Sequence, residues 1–508
     1  MTELRRHYDV VVIGSGFGGA VAASTLSEAG ASVLVVERGP WRDTEPVREA
    51  GVTSRSPLPY GKHFYRQLIH RIASGWTKGL VLNGQGLFDL HFGRDLSIVC
   101  SNSVGGGSHV YSAMNTRPRH PGYWNGHTDG IDAATMEPHY DWMLDKMGAR
   151  RPSPADRIPN ATCSRFADSK HFIADNSIAQ PAMSSRMEGR SEDYRDNSYL
   201  GSPNGAKATL DRVLLLPAMK QGLTIADRHE CMSLWQKPKA GFRLELMNHR
   251  QQRRRYVQAD RVVLAAGTLN TVRLLFRSRS LGGLQGMPAL GRGIGGNGDT
   301  PAYWALNTPG ADYTTGTPCH GRFALRDGRS GGALPGPYLT SFGLNGIDTL
   351  PLPKRLKRRL RQDLILVSMG TDNADGIMTW KHDRLVCRYL RQNSPVLDEI
   401  NLQLQEVARR SGRPVWFSSR FPLTVHPLGG ARLGASAQDG VVDHNGEVYG
   451  NRGLFIADAA TLPSAPGTPP SMTISAWSRH VALRLIDPAM PIRTSRQPWK
   501  NIRHEETL

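Results

Sequence analysis

Residues 8–37 read as one strand–helix–strand unit with a glycine-rich turn at its first corner. Tyr8 to Ile13 (Tyr-Asp-Val-Val-Val-Ile) is an unbroken apolar run, the pattern of a strand buried on both faces. It enters Gly14-Ser15-Gly16-Phe17-Gly18-Gly19, and an alanine-rich helix follows to about Ala29. Gly30 stands where a helix C-terminal glycine belongs, and Ala31 to Val36 gives a second apolar strand ending at Glu37. A Gly-x-Gly-x-x-Gly string alone is weak in a chain rich in glycine. Between these strands and this helix it predicts a dinucleotide site. Gly14 permits the tight turn, Gly16 lets the backbone approach a pyrophosphate, and Gly19 permits close helix–strand packing. The helix N-terminus supplies N–H groups for phosphate, while Glu37 suits ribose hydroxyls and repels a 2′-phosphate.

A chain of 508 residues exceeds one compact core, so two or three structural units are expected. No stretch approaches the roughly 20 apolar residues of a membrane span. Met1 to His7 lacks an apolar segment, so a secretory signal is not expected. Cys100, Cys163, Cys231, Cys319 and Cys387 lie far apart, without metal-ligand or disulfide spacing, which fits a reducing cytoplasm and no metal. The formal charge of +19 concentrates locally at Arg250–Arg255 and Lys354–Arg361. Neither cluster interleaves aromatics and no nucleic-acid motif is present, so a solvated arginine-rich surface is expected. Segment 354–361 read as a basic amphipathic helix gives the alternative, a peripheral membrane contact.

Residues 41–90 read as loops and short elements, and 150–205 as polar and irregular. From Thr209 a helix is expected, then a strand near Leu223–Ile225, then a hairpin across 241–258 with arginines at its turn. Arg261 to Ala266 reads as another buried strand, ending in Gly267-Thr268 before a helix to Phe276. Residues 300–415 look mixed α/β, and a final helix starts near Ser471.

Two further segments narrow the choice of dinucleotide, and two more carry a family resemblance. Val263-Leu-Ala-Ala-Gly-Thr268 resembles the adenine-side strand of flavoproteins with two dinucleotide-binding folds, and Leu454-Phe-Ile-Ala-Asp-Ala459 resembles their C-terminal motif. Thr424-Val-His-Pro-Leu-Gly-Gly430 resembles the His-Pro-Leu-Gly-Gly signature of the glucose–methanol–choline (GMC) oxidoreductases, closest to their cholesterol-oxidase-like branch. Val104 to Asn115 resembles that family's flavin-contacting loop. The resemblance implies an α/β fold: a discontinuous Rossmann-like FAD-binding domain with an inserted α+β substrate domain on a mostly antiparallel sheet. The expected FAD segments are 7–44, 95–120, 205–300 and 420–487; the substrate segments are 45–94, 121–204 and 301–419, with a tail at 488–508.

It further implies non-covalent FAD held by Gly14, Ser15, Gly16, Phe17, Gly18, Gly19, Glu37 and Arg38 in the first unit. Gly105, Gly106, Gly107, Ser108 and Met114 of the second loop, Ala266, Gly267 and Asp458, and Pro469, Pro470, Ser471 and Met472 complete the set. His426 is the expected catalytic group, because imidazole titrates near neutrality and can take the hydroxyl proton as hydride leaves for the flavin. The implied substrate is a small lipophilic alcohol or carbonyl compound, with oxygen or another acceptor receiving the electrons.

Several positions depart from the family pattern. Pro469 occupies the place of a second catalytic Asn or His and offers no side-chain hydrogen bond. This leaves two alternatives, an enone reductase or isomerase on the same fold, and a non-catalytic FAD-holding scaffold. No glutamate lies between Glu245 and Glu399, so an isomerising base would have to be an aspartate, Asp372 or Asp375. An Asx-rich turn is the plainer account of that segment. Tyr111 replaces the flavin-loop Asn and is a candidate donor. His109 sits one place before the position of covalent flavin attachment, where this chain has Val110.

Overall fold

In the computed structural model, His7–Ile13 lies at the centre of a parallel sheet, with Val33–Glu37 on one side and Arg253–Leu264 on the other. The described residues are 4–74, 79–156, 171–173, 181–187, 197–329 and 336–486, so the expected tail at 488–508 lies outside them. Thr224–Asp227 and Leu454–Ile456 complete the parallel strands at the two edges. The strand Arg253–Leu264 serves three partners: its second half pairs parallel with the first strand and with Leu454–Ile456, and an antiparallel ladder joins it to Phe242–Asn248. The expected hairpin is therefore present as an extension of the nucleotide sheet. Continuous Val/Ile/Leu runs form the central strands because both faces are covered. Val10, Val11 and Val12 have no exposed surface.

The helix Phe17–Glu28 covers one face and packs against Ser471–Ile486, where Ser478 Oγ donates to Gly18 O. Gly30 closes the first helix at φ +92°, as expected. The helix Ala133–Lys146 packs on 471–486 in turn, and Trp124 stacks on Trp477 with ring centroids 5.9 Å apart. Two buried histidines, His139 and His480, meet edge to face in this layer. Burial disfavours their imidazolium forms and lowers His139 to about 2 and His480 to about 4. Both values lie below the ordinary value near 6.5, so the stability they contribute is complete above that pH. It is lost as pH falls below that value, down to about 4 for His480 and about 2 for His139. Thermal or urea unfolding should report a loss on the order of 3 kcal/mol between pH 7 and pH 5. A stability unchanged over that range contradicts the assignment.

A second sheet of six strands is antiparallel throughout, in the order 172–173, 319–325, 339–342, 364–368, 300–304, 415–417. Helix Val396–Ser411 buries Ile400, Leu404 and Val407 in the core that holds Trp304, Leu364 and Leu366. A mostly antiparallel sheet beside the nucleotide sheet is what the resemblance implies.

Residues 41–90 depart from the loop expectation. Ile69–Ser74, Leu80–Val81 and Phe88–Phe92 are strands of a five-stranded sheet with Ser97–Ser101 and Leu423–Thr424. Their alternation is masked by His70, Arg71, Asp89 and His91, and two of these are buried: His70 and Asp89 hydrogen-bond each other. The polar residues that hid the strands satisfy one another inside.

The basic segments are paired in part. Arg361 bridges Asp312 and Asp348, Arg359 pairs with Asp363, Arg250 with Asp227 and Arg254 with Glu245. Segment 354–361 does contain a short helix, Lys354–Leu360. Cys100, Cys231, Cys319 and Cys387 are free thiols, and no metal-binding cluster occurs among the described residues. No helix among them is long and apolar enough to cross a membrane.

Candidate active site

The parallel strands end together at Ile13, Glu37, Leu264 and Ile456, and the turns that follow carry Gly14, Arg38, Ala265 and Asp458. Ligand crevices of open α/β sheets lie at this carboxyl edge. Here a cavity of about 1760 Å³ opens, large enough for more than one drug-sized molecule. Gly14, Ser15, Gly16, Phe17 and Gly18 form its floor, with Glu37 and Arg38 beside them. Glu37 accepts hydrogen bonds from Ser15 N (3.0 Å), Ser15 Oγ (2.7 Å) and Gly39 N (2.7 Å), which lock the turn. Burial pushes the Glu37 carboxyl up, against the opposing bonds from Gly39 and Ser15. Arg38 lies in the same wall and is tied to Asp89 and Asn102.

The second glycine loop crosses the first at close range. A Cβ on Gly106 would stand 2.6 Å from Gly16 Cα, so only glycine permits this approach. Gly106, Gly107, Tyr111 and Met114 line the cavity, as do Ala266, Gly267 and Asp458. Asp458 accepts from Gly267 N, Thr271 Oγ1 and Ala460 N and thereby joins the two late segments. Burial raises its pKa to about 6 against those bonds. Pro469, Pro470 and Ser471 close this side at the start of helix 471–486. Ser103 Oγ and Ser471 Oγ face the cavity as buried hydroxyls with no partner among the described residues. Two orphaned hydroxyls and two helix N-termini fit a ligand that brings its own acceptors, as a dinucleotide does.

Four expected cofactor contacts are placed behind the wall. Gly19 packs with its Cα against Gly14 O, in the helix–strand contact expected of a third glycine. Gly105 takes a left-handed turn (φ +87°) beside His109 and Asp211. Ser108 Oγ donates to Gly105 O and accepts from Leu210 N, holding the loop from below, and Met472 is a core residue. His109 is fully buried, with Nε2 2.9 Å from Val104 O, and Val110 lines the cavity in its stead.

His426 lines the same cavity as Gly14, Asp458 and Pro469.

 The two ends of the cavity are thus continuous, and His426 faces the interior rather than the core. Its side chain is 19% exposed and its Nδ1 lies 2.9 Å from the Asp299 carboxylate, which is 2% exposed. Asp299 also accepts from Thr424 Oγ1 (2.8 Å) and Val425 N (3.0 Å), and His426 N donates to Thr424 Oγ1. No described residue bonds His426 Nε2.

Asp299 belongs to the turn Gly295–Asp299, which a two-bond bridge between Gly295 and Leu428 holds against the histidine segment. In the same turn Asn297 accepts from Gly467 N and donates to Thr468 O, so it fixes the backbone just before Pro469. Sequence reasoning missed both residues. They lie more than a hundred positions from the segments they hold, in what reads locally as an Asx-rich turn.

Two catalytic candidates are positioned otherwise than expected. Asp372 is buried outside the cavity, accepting from Gly296 N (2.7 Å) and Tyr389 OH (2.9 Å), so it anchors the Gly295–Asp299 turn and does not face substrate. Asp375 is likewise engaged, by Asn393. Tyr111 does line the cavity, but its hydroxyl donates to Ala208 O (2.6 Å) and its ring packs on Phe17. Behind it the fully buried Lys207 donates to the carbonyls of His109, Tyr111 and Ser198. Lys207→Met removes the shared donor from those three carbonyls, of which Ser198 O keeps only its bond from Gly201 N, and should cost about 2–4 kcal/mol in denaturant unfolding. An unchanged midpoint contradicts the role assigned to this lysine.

The N-terminal family model "GMC oxidoreductase" matches residues 8–294 and its C-terminal counterpart matches 385–478. A cholesterol oxidase of Acinetobacter baumannii is 24% identical, with 94% of each chain aligned. A cholesterol oxidase of Mycobacterium tuberculosis (strain ATCC 25618 / H37Rv) is 24% identical over 94% of this chain and 91% of its own. Long-chain-alcohol oxidase FAO1 of Arabidopsis thaliana is 23% identical over 94% of this chain and 66% of its own. Since the first of these models alone spans more than half of the residues, the chain belongs to the GMC oxidoreductase family, flavoprotein enzymes that act on alcohols.

Proposed function

We propose that this protein binds FAD non-covalently and oxidises a hydroxyl group of a bulky, lipophilic, steroid- or terpenoid-like alcohol. One observation carries the reading: His426, with Nε2 unengaged, lies on the wall of the same cavity as the dinucleotide turn. Phe342, Leu344, Ile365, Val367 and Met369 line that cavity from the antiparallel sheet, which suits an apolar substrate body. The names of the relatives, cholesterol oxidase and long-chain-alcohol oxidase, point to the same substrate class. In this reading segments 7–44, 95–120, 205–300 and 420–487 form the cofactor side, and 45–94, 121–204 and 301–419 the substrate side.

The turn Gly14–Gly18 and the start of helix 471–486 would hold the pyrophosphate, Glu37 the ribose, and Asp458 the ribityl side. Bound FAD supplies a hydride acceptor and a route for the electrons to oxygen or another acceptor. His426 receives the hydroxyl proton at Nε2, which leaves the carbinol oxygen able to collapse to a carbonyl. The apolar wall keeps water from the reacting carbon. His109 is unsuited to a covalent flavin bond, since its ring is buried outside the cavity.

The test is to release the flavin by heat denaturation and to measure peroxide production on 3β-hydroxysteroids and long-chain primary alcohols. Flavin freed in the supernatant and peroxide formed with one alcohol class support the reading. Flavin retained on precipitated protein contradicts the non-covalent assignment. Flavin reduced by NAD(P)H, and by no alcohol, favours the enone-reductase alternative raised by Pro469.

A further inference from the structure

The side chain that replaces the missing catalytic partner lies behind His426 and not in front of it. We propose that Asp299 is the positioning residue of this site: it holds His426 as the tautomer with hydrogen on Nδ1 and a bare Nε2 directed to substrate. This inference rests on the reading above and deepens it.

A carboxylate only accepts hydrogen bonds. Asp299 receives Thr424 O–H and Val425 N–H on one oxygen, and His426 Nδ1 lies 2.9 Å from the carboxylate, within reach of both oxygens. No Arg or Lys pairs with it among the described residues, although its side chain is 2% exposed. A buried carboxylate placed this way requires donors, and the Nδ1–H is the third. With hydrogen on Nδ1, a neutral imidazole has its free lone pair on Nε2, the atom that no described residue engages. When the hydroxyl proton arrives at Nε2 the ring becomes an imidazolium, and its charge then lies against the Asp299 carboxylate.

The neighbouring architecture serves this pair. Asp372 and Tyr389 fix the Gly295–Asp299 turn through Gly296 N, while the Gly295–Leu428 bridge sets its distance from the histidine segment. Pro469 contributes backbone shape alone to the cavity lining, just after the backbone that Asn297 holds at Gly467 and Thr468. The family's usual pair of side chains facing substrate is replaced here by one facing side chain and one buried support.

The discriminating variant is Asp299→Asn. The amide can still accept from Thr424 and Val425 through its oxygen, but it presents N–H to Nδ1. That contact places the imidazole hydrogen on Nε2, where it can no longer receive a proton. In a serine-protease triad the same swap lowers turnover about 10⁴-fold through the wrong tautomer. Here the rate of anaerobic flavin reduction by the responsive alcohol should fall about 10²–10⁴-fold. KM should change little, and flavin content and Tm should stay close to wild type.

A second measurement needs no substrate. Nitrogen NMR of the ¹⁵N-histidine-labelled holoenzyme, with His426 assigned by its absence from His426→Gln, reads the tautomer directly. Hydrogen on Nδ1 supports the proposal. Hydrogen on Nε2 in the wild type overturns it, as does an Asp299→Asn enzyme that reduces its flavin at the wild-type rate. If no alcohol reduces the wild-type flavin, the alcohol-oxidising reading fails, and the tautomer still decides the placement of the His426 proton by Asp299.

Discussion

Replacing His426 by Ala is expected to slow flavin reduction by alcohol about 10²–10⁴-fold while leaving the flavin bound. The separation follows from where the side chain lies. Its imidazole meets the cavity on one side and Asp299 on the other, and among the described residues its ring makes no hydrogen bond to the glycine turns. The backbone around it is held independently: Thr268 Oγ1 donates to Pro427 O (2.6 Å), and the Gly295–Leu428 bridge remains. Truncation also removes one donor from the buried Asp299, so a stability loss of about 1–3 kcal/mol should accompany the kinetic one. Stopped-flow absorbance of the anaerobic variant measures the first effect, and thermal unfolding the second. Reduction at the wild-type rate takes His426 out of the chemistry.

Gly14→Ala should have the opposite signature, loss of flavin and of fold together. Gly14 sits at φ +98°, where an L side chain is strained in any surroundings. A Cβ there would stand 2.2 Å from Ala265 O and 2.7 Å from Ala265 C, both backbone atoms. Neither neighbour can yield, because Gly14 N donates to Val36 O and Ala265 N to Ile13 O, each at 2.8 Å. Relief therefore requires moving a central strand of the sheet, a cost above about 4 kcal/mol. Flavin that stabilises the native state by binding it would be lost with the site, which adds to the effect. The expected protein is colourless and poorly soluble. A yellow, soluble variant with wild-type Tm contradicts this account of the turn.

The nucleotide half of the molecule was legible because its physics is local. A both-faces-buried strand, a glycine corner, a helix and an acidic strand end all fall within residues 8–37, and each constrains the next. Asp458 and Gly267 were legible for a different reason, since short motifs mark the ends of strands that meet in space. The sheet at 69–101 was hidden because its buried positions carry His70 and Asp89, whose pairing cannot be read from alternation. Asp372 is a related case: beside asparagine and glycine it reads more plainly as a turn than as a base, and its bonds to Gly296 N and Tyr389 OH place it as a support of the Gly295–Asp299 turn. Asp299 left no local trace at all. Its function is defined by His426, 127 positions later, and pairwise geometry of that span has no periodicity in sequence.

Anaerobic titration of the purified protein with a 3β-hydroxysteroid, and then with a long-chain primary alcohol, tests the central claim most directly. The flavin's visible absorption band should bleach with one alcohol consumed per flavin, and admission of air should restore it. A band that stays unbleached with both alcohol classes, in protein that retains its flavin, would contradict alcohol oxidation at this site.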